Sequence, residues 1–249
     1  MLRKFLVTVL LALGAVSALA GELKVGMSPD YPPLAFKQEA RVVGIEADNI
    51  NALSNLIGQQ MRVVEMPFAK LIPALQAGEI DVIMSGLSAT AERAKQVLFT
   101  DPYMEVGQMA IMHTDKLARF AKPWSIYAEG VRIGVEPSTT GAAYAESELK
   151  DAQIKYFADP DAAFEGLRKD DIDLYIHDAP TSWQLATGAG NADLISLYTP
   201  LTNETLAWAV RKDDTRLAEE INLALAKMKA NGSLRYILNR WIPVTVEVR

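Results

Sequence analysis

The chain contains no cysteine. Disulfides, thiolate metal sites, thiol catalysis and a cysteine-borne lipid anchor are therefore excluded. Histidine is almost as scarce: His113 and His177 are the only two. Neither lies in an HExxH motif or beside a nucleophile signature, so no metal and no cofactor is expected. The sequence has no P-loop, no GxGxxG, no Ser/Gly-rich linker and no short-period repeat. Beyond the first twenty residues no run is apolar enough to span a bilayer, which takes about 20 residues. Positive charge is also in deficit, with 25 Lys and Arg against 31 Asp and Glu. An acidic chain is a poor partner for nucleic acid or an anionic membrane surface.

What is present begins with a leader. Arg3 and Lys4 precede an apolar run over residues 5–16, and Ala18-Leu19-Ala20 forms a small-x-small site before Gly21. This pattern reads as a secretory signal peptide over residues 1–20, and the run is short for a membrane anchor. Cleavage after Ala20 leaves 229 residues with a formal charge of −8, enough for one large or two small cores. The expected compartment is the periplasm, without a lipid anchor.

From Glu22 onward, short apolar strands alternate with helices, the pattern of βαβ units and mainly parallel sheets. Strands are expected at residues 23–27, 61–65 and 80–84, with helices over 44–57 and 69–77 between them. The run at 107–112 is strand-like, and after a looser stretch punctuated by Pro123 and Gly130 a second set follows: strands at 131–135, 154–157 and 172–176, with helices from Gly141 and over 160–169. The chain then returns through a strand at 206–210, a helix over 215–230 stopped by Asn231-Gly232, and a last helix over 234–241. The fold class is α/β, with one set inserted into the other. That arrangement predicts two lobes, 21–108 with 202–249 and 109–201, with crossings near residues 107–113 and 197–205. Ligands of such sheets bind beyond the carboxyl ends of the strands, here in the cleft between lobes.

The densest chemistry lies in IDVIMSGLSATAERAKQVLFTDPY, residues 80–103. An apolar strand opens into Ser85-Gly86-Leu87-Ser88, and Arg93 follows on a polar turn. Free backbone N–H groups, two hydroxyls and a guanidinium suit a carboxylate, because Arg presents a planar fork to both oxygens. Taken alone, an Arg beside Glu92 more often forms a surface ion pair. Thr139, Thr140 and Gly141 open a helix after a strand, and such an N-terminus favours an anion. Asp178 ends another strand before Ala179-Pro180, where it could equally cap a helix.

With YPPLAF at Tyr31, VGIEADNINAL at Val43, FAKLIPALQAGEIDVIMSGLSATAER at Phe68, FTDPY at Phe99, GVEPSTTGAAYA at Gly134, DIDLYIHDAP at Asp171 and KMKANGSLRYILNRW at Lys227, the chain resembles the polar amino-acid-binding proteins of bacterial ABC importers, the family 3 solute-binding proteins. The resemblance covers nearly all of the chain after the leader. It implies a two-lobed periplasmic-binding-protein-like fold that captures a polar L-amino acid and delivers it to an ABC permease of the inner membrane as a monomer. It further implies that Arg93, Ser88 and the 138–141 turn grip the α-carboxylate, and that Asp178 and the Gly86 carbonyl receive the α-ammonium. Tyr31 and Phe68 would flank the ligand, with Ser85 and Glu136 in the same pocket. Ser138 stands where the family commonly has glycine.

Ser28 stands where the family's binders of basic amino acids often carry Asp, and Glu136 where glutamine-type binders often carry Lys. Together these point to a neutral-to-cationic polar ligand. Asp30 and His177 are open between pocket and solvated loop. Two other readings exist for such a chain. A cyclohexadienyl-dehydratase-like enzyme would need a general acid, and that family's Glu three residues after the strand-end Asp is Thr181 here. A sensory module would instead present the bound ligand to a receptor.

Overall fold

A computed structural model describes residues 21–187 and 189–242. The expected leader therefore lies outside the described residues. No helix among them is long and apolar enough to cross a membrane.

The first half is built from β1 (Leu23–Met27), β2 (Asp30–Tyr31), β3 (Ala35–Gln38), β4 (Arg41–Val43), α1 (Ile45–Ile57), β5 (Met61–Glu65), α2 (Leu71–Gln76), β6 (Val82–Ile83), α3 (Ala91–Ala94) and β7 (Val97–Val106). There follow β8 (Gln108–His113), β9 (Arg132–Val135), α4 (Thr140–Glu148), β10 (Gln153–Tyr156), α5 (Pro160–Arg168), β11 (Leu174–Asp178), α6 (Ala179–Thr187) and β12 (Leu194–Ser196). The chain closes through β13 (Glu204–Arg211), α7 (Thr215–Ala230) and α8 (Ser233–Trp241).

Two five-stranded sheets repeat one plan, with orders β5-β1-β6-β13-β7 and β10-β9-β11-β8-β12. The first three strands of each are parallel, as βαβ alternation requires. The last two run antiparallel to their neighbours, because they belong to the segments that pass between the lobes. Helices cover the sheets, giving a two-lobed α/β fold.

Local sequence explains most boundaries. Ile45, Ile50 and Leu53 bury one side of α1, and Gly58 ends it with a left-handed φ of 73°. Asp159 accepts from the Ala162 N–H at 2.8 Å ahead of Pro160, which opens α5. The expected helix over 69–77 is divided instead, a 3-10 turn at Phe68–Lys70 leading into α2. β7 is a ten-residue strand that crosses FTDPY, the segment between the two expected sets. Pro102 has no N–H for the ladder, and the pairing with β13 shifts register beside it, between Leu206, Ala207 and Ala209.

The two crossings lie against each other. A Cβ on Gly107 would stand 2.2 Å from the Thr202 carbonyl oxygen, so only glycine permits this approach. The Gln108 N–H donates to Thr202 Oγ1 at 2.9 Å, and the Leu201 N–H to the Gln108 carbonyl at 2.8 Å.

Beneath the first sheet, Tyr103 and Trp208 stack with centroids 5.0 Å apart, both fully buried. They converge on the carboxylate of Glu46, itself buried in the first turn of α1. Glu46 accepts from Tyr103 Oη at 2.7 Å, Trp208 Nε1 at 2.9 Å and the Gly86 N–H at 2.9 Å. Glu46→Ala leaves three buried donors without an acceptor, at about 1–3 kcal/mol each. Urea unfolding followed by tryptophan emission is expected to show a loss of at least about 3 kcal/mol, with Glu46→Gln between it and the parent. Equal stability of parent and Glu46→Ala would refute this role.

Candidate functional site

One enclosed pocket lies where the two sheets face each other, beyond the ends of β6, β9 and β11. Asp30, Tyr31, Phe68, Gly86, Ser88 and Arg93 line it from one side and Glu136, Thr139, Thr140, Ile176, His177 and Asp178 from the other, with Gln108 at the crossing between them. Nine of the ten residues singled out in the sequence thus meet in one place. Ser85 is the exception. Its Oγ accepts from the Ser28 backbone N–H at 2.9 Å, below the pocket floor, so it supports the loop and does not line the cleft.

The floor is the turn after β6. Gly86 adopts a left-handed φ of 64°, and a Cβ there would meet the Tyr31 ring at 2.7 Å and Leu34 at 2.8 Å. Its N–H is held by Glu46. Arg93, in the short α3, lies across this turn. Its Nη1 donates to the Ser88 carbonyl and its Nη2 to the Ser138 carbonyl of the other lobe, each at 2.9 Å. The guanidinium carbon lies 5.5 Å from the Phe68 ring centroid, within cation–π range.

From the second lobe, Thr139 caps α4, its Oγ1 accepting from the Ala142 N–H at 3.1 Å. Ser138 holds φ at 66°, so the glycine-like turn is kept although the residue is serine. Asp178 is buried at the end of β11. Its carboxylate accepts from Tyr31 Oη across the cleft and from Gln108 Nε2. Gln108 Nε2 also lies 3.0 Å from Thr140 Oγ1. Gln108 was not legible as a site residue, since it reads as the polar start of an apolar strand, QMAIMH. Its signal in the structure is burial of an amide at the interlobe crossing.

The pocket is polarised. Burial pushes the Asp178 carboxyl up, against the opposing pull of His177 and the Tyr31 and Gln108 hydrogen bonds. Burial likewise lowers Arg93. Among the described residues neither Arg93 nor Asp178 is in a salt bridge. A half-buried cation and a buried anion, neither in a direct ion pair, are costly unless a group of opposite sign is brought to them. Asp30 and His177, left open by the sequence, both line the pocket. Asp30 is pushed up by burial and by the neighbouring Glu136 and Asp159. His177 is buried, with Nε2 3.2 Å from Glu136 Oε1 and Nδ1 2.9 Å from Thr181 Oγ1. Tyr175 Oη donates to the same Glu136 oxygen.

The cavity these side chains enclose is about 40 Å³. That is room for two or three waters at roughly 15 Å³ each and far too little for an amino acid. Entry of anything larger requires the lobes to part or the bridging side chains to withdraw.

Two sheets facing across a charged, enclosable cleft define a two-lobed small-molecule binding protein. The chain belongs to the bacterial extracellular solute-binding proteins, family 3, whose pattern matches residues 23–244. It is 30% identical to the ABC transporter arginine-binding protein 1 of Escherichia coli K12, over 97% of this chain and all of that one. Among solved structures, it resembles an ancestral arginine-binding protein bound to arginine, at 31% identity and a TM-score of 0.83, covering 90% of this chain and 99% of that one. It also resembles an ancestral amino acid-binding protein described as a precursor of cyclohexadienyl dehydratase, at 30% identity and a TM-score of 0.83, covering 89% and 96%.

Left-handed backbone at a residue with a Cβ costs about 1–2 kcal/mol, offset in part by the freedom glycine gains on unfolding. Ser138→Gly is therefore expected to raise the unfolding free energy by about 0.5–1 kcal/mol in thermal denaturation. An unchanged or lowered value would show that the turn stores no such strain.

Proposed function

We propose that the protein is a periplasmic receptor that captures a polar L-amino acid, neutral to cationic in its side chain, and hands it to an ABC permease. The observation that carries this reading is the pairing of Arg93 on one lobe with Asp178 on the other. Both line one pocket, Asp178 buried and Arg93 half-buried, and neither is in a salt bridge among the described residues. An amino acid supplies the missing partners as a single zwitterion: its α-carboxylate to Arg93, Ser88 and the N-terminus of α4, its α-ammonium to Asp178 and the Gly86 carbonyl. Tyr31 and Phe68 flank its carbon chain, and Asp30, Glu136 and His177 surround its far end.

The lobes are taken as residues 21–108 with 202–249 and residues 109–201, turning about the adjacent crossings at Gly107 and Thr202. Ligand docks on the first lobe and the second closes over it. Closure is favoured only by contacts that exist in the closed state. Binding without turnover is the favoured outcome. The position that would carry a dehydratase's acid holds Thr181, whose hydroxyl is engaged with His177. Secretion through residues 1–20 and action as a monomer belong to the same reading.

Arg93→Ala removes two charge-assisted hydrogen bonds worth about 1.5–3 kcal/mol each, so amino-acid affinity is expected to fall at least about a hundred-fold in calorimetry. Asp178→Ala is expected to fall comparably. Retained tight binding by either variant would displace that residue from the site. The class itself is tested by thermal unfolding of refolded, ligand-stripped protein against the twenty amino acids, prephenate and arogenate. At about 100 times the dissociation constant a true ligand adds roughly 2.7 kcal/mol, a rise of about 5–10 °C. Turnover of prephenate or arogenate with no amino-acid shift would overturn the reading.

A further inference from the structure

The geometry points to His177 as a specificity-determining residue: it masks the Glu136 carboxylate, and a cationic ligand side chain binds by displacing a proton from this pair. The inference rests on the amino-acid reading above and concerns the far end of the same pocket.

Glu136 is the carboxylate best placed to receive a cation there, yet this chain already occupies it. His177 Nε2 lies 3.2 Å from one of its oxygens, and Tyr175 Oη donates to the same oxygen. The imidazole is fixed from several sides. Thr181 of α6 holds Nδ1 at 2.9 Å, and the rings of Tyr31 and Tyr175 stand 4.8 and 5.4 Å away. The side chains of the pair are only 10% and 14% exposed, so water screens them little. With His177 protonated, the pair is neutral and the far end resembles a polar amide site. With His177 neutral, Glu136 is a free anion and the same end suits an ammonium or guanidinium. An amino acid with an uncharged side chain gains no charge pairing at the far end from this change.

The charged and titratable groups around His177 bear on the direction. From the second lobe it faces Glu136, Asp178 on its own strand, and Tyr175; from β2 it faces Asp30 and Tyr31. Asp159 at the start of α5 lies within electrostatic reach of Asp30 and Tyr175. Arg93 and Glu204 lie within reach of Asp178. Burial opposes the charged imidazole, but Glu136 and Asp178 outweigh it and raise His177 above its ordinary value. The masked state therefore holds at acidic pH and is lost as pH rises through the raised value. Affinity for a cationic side chain should climb over that window.

The test is calorimetry with L-arginine and L-glutamine at pH 5.5 and 8.5. Contacts to the α-groups are common to both ligands and cancel in the ratio of their affinities. The arginine-to-glutamine ratio is expected to rise about ten-fold or more with pH. His177→Gln, which retains the titrating Asp30 and Asp178, is expected to lose most of that slope. Arginine binding at neutral pH in two buffers of different ionisation heat should show proton release, and glutamine binding should not. A flat ratio in the parent, or an undiminished slope in His177→Gln, overturns the inference. Binding of neither ligand overturns the amino-acid reading instead. The pair is then judged alone by imidazole NMR, where Glu136→Gln should lower the titration midpoint of His177, and an unmoved midpoint refutes it. With two histidines in the chain, His113→Asn assigns the signals.

Discussion

The buried carboxylate of Glu46 is the constraint on which the first lobe depends. One side chain joins the start of α1, the Gly86 turn, Tyr103 on β7 and Trp208 on β13. These segments lie as far as 162 residues apart in the chain. Burial raises the carboxyl, and the hydrogen bonds from Gly86, Tyr103 and Trp208 oppose that rise. Such a group is tolerated only when its acceptor capacity is filled, so its partners are fixed in place together. One of those partners is the backbone amide of the pocket floor. The core of the lobe and the geometry of its binding turn are thus one network, and the Gly86 turn is preformed before anything enters the cleft.

The second lobe meets that preformed surface through polar contacts as well as through Trp183, which packs against the core of the first. Arg93 reaches the Ser138 carbonyl, and Tyr31 reaches Asp178. Each of these groups is also a group that an amino acid would address. A ligand therefore exchanges lobe-to-lobe hydrogen bonds for lobe-to-ligand-to-lobe ones, and the difference between the two sets governs closure. A cavity of about 40 Å³ shows how completely the bridging side chains fill the cleft by themselves. The crossings at Gly107 and Thr202 lie side by side, in direct backbone contact.

Much of this was legible in the sequence because it follows from local rules. Alternating apolar segments announced the α/β class, and Asn231-Gly232 marked the end of α7 through capping chemistry that acts over a few residues. The residues that line the pocket were legible through the motifs around Gly86, Arg93, Thr139 and Asp178. What escaped was long-range. The ten-residue β7 was hidden because Pro102 and polar Thr100 and Asp101 break the strand pattern, and only pairing with β13 makes it a strand. The small antiparallel sheet β2-β3-β4 lay inside a proline-rich stretch with no periodicity. Glu46, Gln108 and His177 are ordinary polar residues by composition; burial gives them roles, and burial is a property of the assembled lobes. Ser85 was misplaced for the same reason, since one residue along a turn decides whether a hydroxyl faces the cleft or the strand beneath it.

Burial also bears on what the far end of this cleft can do with a proton. A general acid must hold a proton within reach of a leaving group and release it toward that group. The titratable groups at the far end of this pocket are turned toward one another instead. His177 shares one nitrogen with Glu136 and the other with Thr181, while Tyr175 takes up the Glu136 oxygen. Any proton leaving this cluster toward a substrate would strip a partner from a buried group, at a cost of about 1–3 kcal/mol or more for each hydrogen bond broken. A cationic side chain, by contrast, can replace the imidazolium proton with a charge of the same sign and leave Glu136 paired. The arrangement that hinders proton donation to a substrate is thus one that a charged ligand can enter by substitution.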